Sequence, residues 1–124
     1  MKQLLKLTGC LAVAGLFASC QSIQQEANYQ VIPLPQEIVV EQGAPFILKS
    51  GVKILYPEGN EKMQRNAKFL ADYLKTATGK DFTIEAETEG KNAIILALGT
   101  ENENPEAYQL KVAGDGVTTT GSTA

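Results

Sequence analysis

The sequence predicts an α+β domain: a mixed or antiparallel sheet of short strands with one long amphipathic helix, about residues 61–78, packed on one face. Three observations predict it. Short apolar runs recur between turn signals, as in Ala93–Leu98, AIILAL. One stretch alone, starting at Asn60, repeats its apolar residues at helical spacing. The 124 residues, 44% hydrophobic and 20% charged, suffice for one domain and no more.

The first residues stand outside that domain. Lys2 and Lys6 give a positive start, and Leu7 to Phe17 is apolar apart from Thr8, Gly9 and Gly15. A run this short behind a basic front reads as a secretory signal, residues 1–19, and not as a membrane-spanning helix. Ala18 and Ser19 before Cys20 resemble a bacterial lipobox, which implies cleavage before Cys20 and acylation of it. LTGC at Cys10 fits the same letters, but too little apolar chain precedes it. Plain secretion with cleavage elsewhere is the alternative. The polar, aperiodic QSIQQEAN then reads as a tether over residues 20–28.

The domain, residues 29–124, opens on QVIPLPQEIVV. Pro33 and Pro35 fix φ near −65° and push the residues before them toward extended geometry. The segment is expected to enter as a stiff strap before the first regular strand. Ile38–Glu41 is a short strand-like run closed by Gln42-Gly43. Phe46–Lys49 and Val52–Tyr56 flank Ser50-Gly51, a spacing that predicts a hairpin.

Asn60 is a good N-cap and Glu61 suits the first helical turn. Met63, Ala67, Leu70, Leu74 and Ala77 make one apolar stripe, with Phe69 and Tyr73 widening its edge. Glu61 and Arg65 are spaced to pair. Gly79 supplies the left-handed residue that ends the helix.

Asp81–Ala86 alternates as a strand, and Glu87–Lys91 is a polar turn. Ala93–Leu98 is continuously apolar, which places it mid-sheet, buried on both faces. After a loop to Pro105, Tyr108, Leu110 and Val112 alternate with Gln109 and Lys111. Gly114-Asp115-Gly116 predicts a hairpin turn, and Val117–Thr120 returns beside that strand. A mixed sheet with one βαβ crossover satisfies the same pattern.

Chemistry is scarce in this chain. It holds no histidine, which excludes histidine-based triads and imidazole zinc sites. If Cys20 carries lipid and Cys10 leaves with the signal, no thiol remains for a disulfide. Losing Lys2 and Lys6 leaves 9 basic residues against 14 acidic ones, a net charge of −5. An acidic surface without a basic cluster argues against nucleic acid. Glu85, Glu87 and Glu89 share a face of extended chain, as a calcium site or acid/base pair would, yet nothing beside them is placed to shift a pKa. A solvated turn is the better reading. Glu101-Asn102-Glu103-Asn104 lacks the glycine and distal glutamate of a calcium loop. Tyr29, Tyr56, Tyr73 and Tyr108 read as core-edge residues and not as a sugar platform. No catalytic residue, cofactor or metal is expected.

The order of segments adds a resemblance. VIPLPQEIVVEQG, the helix before Thr78-Gly79-Lys80, the IILAL strand and PEAYQLKVAGDGVTTTGSTA resemble in sequence the N-terminal domain of family 20 glycoside hydrolases, the β-N-acetylhexosaminidases. It covers about Tyr29 to Ala124, departing at Thr119, where a bulky apolar residue is usual. The resemblance implies a non-catalytic support domain whose partner is a C-terminal catalytic (β/α)8 barrel of the same parent chain. That barrel's Asp-Glu pair works by substrate assistance, outside the usual two-carboxylate scheme. The family continues past the position of Ala124 into another helix, so one sheet face is expected to be partly uncovered. With Cys20 acylated, the membrane is a second partner and the bacterial cell envelope, at the outer membrane, the location. Secreted or periplasmic protein is the alternative. Two other readings stand beside it: the accessory domain of an O-GlcNAcase-like or α-glucuronidase-like enzyme, and a stand-alone glycan-binding surface lipoprotein.

Overall fold

The computed structural model describes residues 28–100 and 102–124. The signal segment 1–19, Cys20 and the tether up to residue 27 lie outside the described residues. The chain divides into two compact units, residues 1–39 and 40–124.

In the first unit, residues 28–39 are bends and extended chain without a regular strand. The Asn28 side chain accepts from the Gln30 N–H at 2.9 Å. The Ile32–Pro33 peptide is cis, and Ile32 is fully exposed.

The second unit holds five strands and one helix: β1 (Lys53–Leu55), α1 (Glu61–Thr78), β2 (Thr83–Glu85), β3 (Ala93–Leu98), β4 (Tyr108–Ala113) and β5 (Gly116–Gly121). The sheet order is β2-β1-β3-β5-β4. β1 pairs in parallel with β2 and β3, β3 in parallel with β5, and only β4–β5 is antiparallel. This is a mixed α+β sheet, with α1 as the crossover between parallel β1 and β2. A parallel pair requires such a connection.

The helix forms where its signals lie. Asn60 is extended and its side chain accepts from the Met63 N–H at 3.0 Å. Gly79 at φ 70° donates its N–H to the Lys75 carbonyl and ends the helix. Met63 and Ala67 are buried, and Leu70, Ala71 and Leu74 are half-buried. The expected stripe is corrected at three places: Ala77 is exposed, Phe69 is 74% exposed and Tyr73 63%. α1 lies chiefly on β1 and β2, and its flanks extend beyond that footprint. Glu61 and Arg65 do not pair either; the helix's ion pair is Lys75–Asp81 at 2.6 Å, at its other end.

The strand expectations before α1 also need correction. Ile38–Glu41 and Phe46–Lys49 form no strand, and no hairpin joins Phe46–Lys49 to Val52–Tyr56. The turn itself exists: Gly51 sits at φ 87°, and the Val52 N–H donates to Lys49 O at 3.3 Å. The ladder fails because both edges of β1 are taken, by β2 and β3. Phe46 and Leu48 still pack on the core while Ile47 points out, so the segment alternates without being paired.

The core sits between α1 and the sheet. Val52, Ile54, Tyr56, Phe82, Ile94 and Leu96 meet Met63 and Ala67 there. Val52, Ile54 and Leu55 are at most 1% exposed, each stabilising the fold by about 1.5–3 kcal/mol. Leu55 points to the opposite face, where Gly90 packs on it; a Cβ at Gly90 would lie 2.8 Å from Leu55 Cδ1. β3 is central as expected, with Ala93, Ile94 and Leu96 buried. On the α1 side of β4, Tyr108, Leu110 and Val112 are 53%, 59% and 59% exposed. The expectation of a partly uncovered face holds there. Thr119, paired with Leu110 and Leu96, is half-buried on that same side.

Candidate functional site

The structure disperses the groups that could do chemistry. Glu85, at the end of β2, accepts from Lys53 Nζ at 2.8 Å across β1, and the pair lies on the face away from α1. That hydrogen bond, then the charge of Glu85 itself, raises the Lys53 ammonium above its ordinary 10.5. Glu85 is therefore a structural ion-pair partner. The Glu87 N–H bonds the Glu85 carbonyl at 3.0 Å, and Glu87 and Glu89 are solvated turn residues. Among the described residues no three His, Cys, Asp or Glu side chains come together as a metal site.

The loop before β4 is built from side-chain turns. Asn102 Oδ1 accepts from the Asn104 N–H and Asn104 Oδ1 from the Glu106 N–H, each at 2.9 Å. Both amides are thus committed to their own backbone. The tyrosines do not act together. Tyr56 is in the core, whereas Tyr29, in irregular chain, and Tyr73 and Tyr108, on α1 and β4, are 45%, 63% and 53% exposed. The core-edge reading holds for Tyr56 and is corrected for Tyr73 and Tyr108, which stand free because no neighbouring element reaches them.

Among the described residues, two half-open depressions are the candidates. One, of about 240 Å³, lies against Gly90, Ile95, Lys111, Asp115 and Thr118 on the face away from α1. The other, of about 300 Å³, borders Glu58, Asn60, Glu61 and Gln64 at the start of α1. Lys111, Asp115 and Thr118 line the first, and Glu58 and Glu61 the second, but among the described residues no hydrogen bond or ion pair joins these side chains into a constellation. Asn60 is already spent on its cap. No described helix is long and apolar enough to cross a membrane.

Against this geometry, the comparisons are specific. The family model described as glycosyl hydrolase family 20, domain 2, matches residues 28–124. The chain belongs to glycoside hydrolase family 20. Within that family it corresponds to an accessory domain. The β-N-acetylhexosaminidase of Streptomyces coelicolor A3(2) aligns at 32% identity over 74% of this chain, with a TM-score of 0.64. A mutant β-hexosaminidase of Streptomyces plicatus, in complex with the product GlcNAc, aligns at 33% identity over 74%, also at 0.64. This chain spans 18% of the length of each. No curated protein sequence matches. Family 20 membership overrides the readings that placed the domain beside other glycosidases. The Ile-Pro-x-Pro opening and the ordered strands carried that assignment; no individual side chain did.

Proposed function

We propose that this chain is the non-catalytic support domain of a lipid-anchored β-N-acetylhexosaminidase. The parent polypeptide removes terminal β-linked N-acetylhexosamines from glycans. The work is divided: a barrel elsewhere in the parent supplies the Asp-Glu pair, and this domain buttresses it. The family match over residues 28–124 carries the reading. The resemblance to family 20 makes the mechanism a retaining one, in which the substrate's own acetamido oxygen attacks the anomeric carbon.

Cys20 is the proposed lipid site, and the eight residues after it are the tether to an envelope membrane. Acyl chains hold by burying methylenes at about 0.8 kcal/mol each, so one modified cysteine suffices to localise the enzyme only when more than one chain is attached.

Two experiments test this. A chromogenic β-GlcNAc substrate should be cleaved by the polypeptide extended past Ala124 and not by residues 1–124. Activity in neither removes the hexosaminidase reading. Radiolabelled palmitate should enter the chain, survive Cys10→Ala and vanish with Cys20→Ala. Unchanged labelling in Cys20→Ala removes the anchor.

A further inference from the structure

The end of the sheet where its parallel strands begin is tied together from outside. β1, β2, β3 and β5 start in register there, with Lys53 beside Thr83 and Ala93, and Ala93 beside Gly116. The β4–β5 turn and the C-terminal end of α1, just before β2, lie at the same end. It is the end of β5 opposite Gly121.

The segment 44–49 crosses this end without joining a ladder. On one side, a Cβ added to Gly114 would lie 3.1 Å from Ala44 Cβ and 3.2 Å from Ala44 O, so Ala44 sits directly on the hairpin turn. On the other side, Lys80 Nζ, just past the helix cap, donates to the Leu48 carbonyl at 2.9 Å. Between these contacts Phe46 and Leu48 pack on the core and Ile47 points out, as in extended chain. The steps from Ala44 to Leu48 reach at most about 14 Å. Two inter-strand spacings, from β5 across β3 to β1, already take about 10 Å. The segment therefore has little slack, and a displacement at one side is felt at the other. The sheet holds the turn from within, through the Asn92 N–H donated to the Asp115 carbonyl at 2.6 Å.

We propose that residues 44–48 are a clasp that couples the β4–β5 turn to the C-terminal end of α1, so that the hairpin opens only together with this segment. The two parts share no strand pairing. What joins them is a taut piece of chain fastened at both sides, with apolar side chains seated in the core between. Such a unit opens below the global unfolding free energy, but as one. The inference does not depend on the glycosidase reading.

Native-state hydrogen exchange on this chain tests it. Ala113 pairs with Gly116 across the two-residue turn Gly114-Asp115, and a ladder closes there only if the two exchange both backbone hydrogen bonds. The Ala113 amide therefore reports opening of the hairpin. Lys80→Met keeps an unbranched stem and removes the donor to Leu48. Deleting a bond speeds only those openings that break it. If hairpin and clasp open together, the Ala113 amide should exchange about tenfold faster, the worth of a hydrogen bond from a charged group. An unchanged Ala113 rate overturns the proposal, whatever happens at Ile54.

Gly114→Val approaches from the other side. Gly114 is not in the left-handed region, so a side chain there is resisted by Ala44 and not by the backbone. Valine should displace Ala44 and release the clasp, after which Lys80→Met should change the Ala113 rate little. Any cost of valine to the turn itself is common to both backgrounds and cancels. Independent sites keep their separate effects. The same Lys80→Met factor with and without Gly114→Val therefore overturns the coupling.

Discussion

Ile54 and Leu55 are neighbours in β1, point to opposite faces of the sheet, and are both buried. The residue before them, Lys53, shares the face of Leu55 and reaches Glu85 on the adjacent strand. The pairing was invisible in sequence because the partners are 32 positions apart and meet only through the parallel register of β1 and β2. Its consequence is a dependence on pH. The hydrogen bond and charge of Glu85 raise the folded-state pKa of Lys53 above 10.5. A raised folded pKa means that the stabilisation is complete below the unfolded value and is lost as pH rises through the folded one. Lys75, beside Asp81, is raised for the same reason and loses its contribution in the same window. Urea midpoints should therefore fall above pH 10.5, and Lys53→Met should make that fall shallower. Both pairs are solvent-exposed, so the effect is small and salt should reduce it. Superimposable alkaline profiles for Lys53→Met and the unsubstituted chain would show that the pair contributes nothing.

At the scale of the element, α1 was legible end to end because every signal that makes it is local. The cap, the stripe and the terminating glycine lie within 20 residues, and the structure places the helix at the expected Glu61–Thr78. What was not local was misread. Phe69 and Tyr73 looked like stripe edges, but the width of a buried stripe is set by the surface beneath it, which sequence spacing does not show. Ile38–Glu41 and Phe46–Lys49 have strand composition and no ladder, since a strand exists only where another strand has an edge to offer. β3, β4 and β5 were read correctly because length, continuous apolarity and a two-residue turn identify them without distant partners. The caps give the quantitative test. Asn60→Ala removes the acceptor for the Met63 N–H and should cost about 1 kcal/mol. Gly79→Ala forces a Cβ into φ 70°, with open space around it, and should cost about 1–2 kcal/mol from backbone conformation alone. Thermal unfolding of both variants checks this. A Gly79→Ala chain as stable as its parent means that the helix ends some other way.

For the whole molecule, a partly uncovered sheet face was expected from the resemblance, whereas which strands it leaves uncovered was not readable in the sequence. The sheet has two halves of unlike security. β1, β2 and β3 share the α1 core, with Val52, Ile54, Ile94 and Leu96 buried beneath it. The β4–β5 hairpin is joined to that half through one parallel ladder, and its α1-side residues Tyr108, Leu110 and Val112 are more than half exposed. Backbone hydrogen bonds without buried apolar contacts around them open locally, at less than the global unfolding free energy. Hydrogen exchange should therefore divide the sheet. The amides of Gln109, Lys111 and Ala113, all turned toward β5, should exchange well before those of Ile54, Ile94 and Leu96. Uniform protection across both halves would mean that the hairpin unfolds only with the core. In that case the β3–β5 ladder alone carries enough stability to hold it, and an uncovered face is no weakness in this fold.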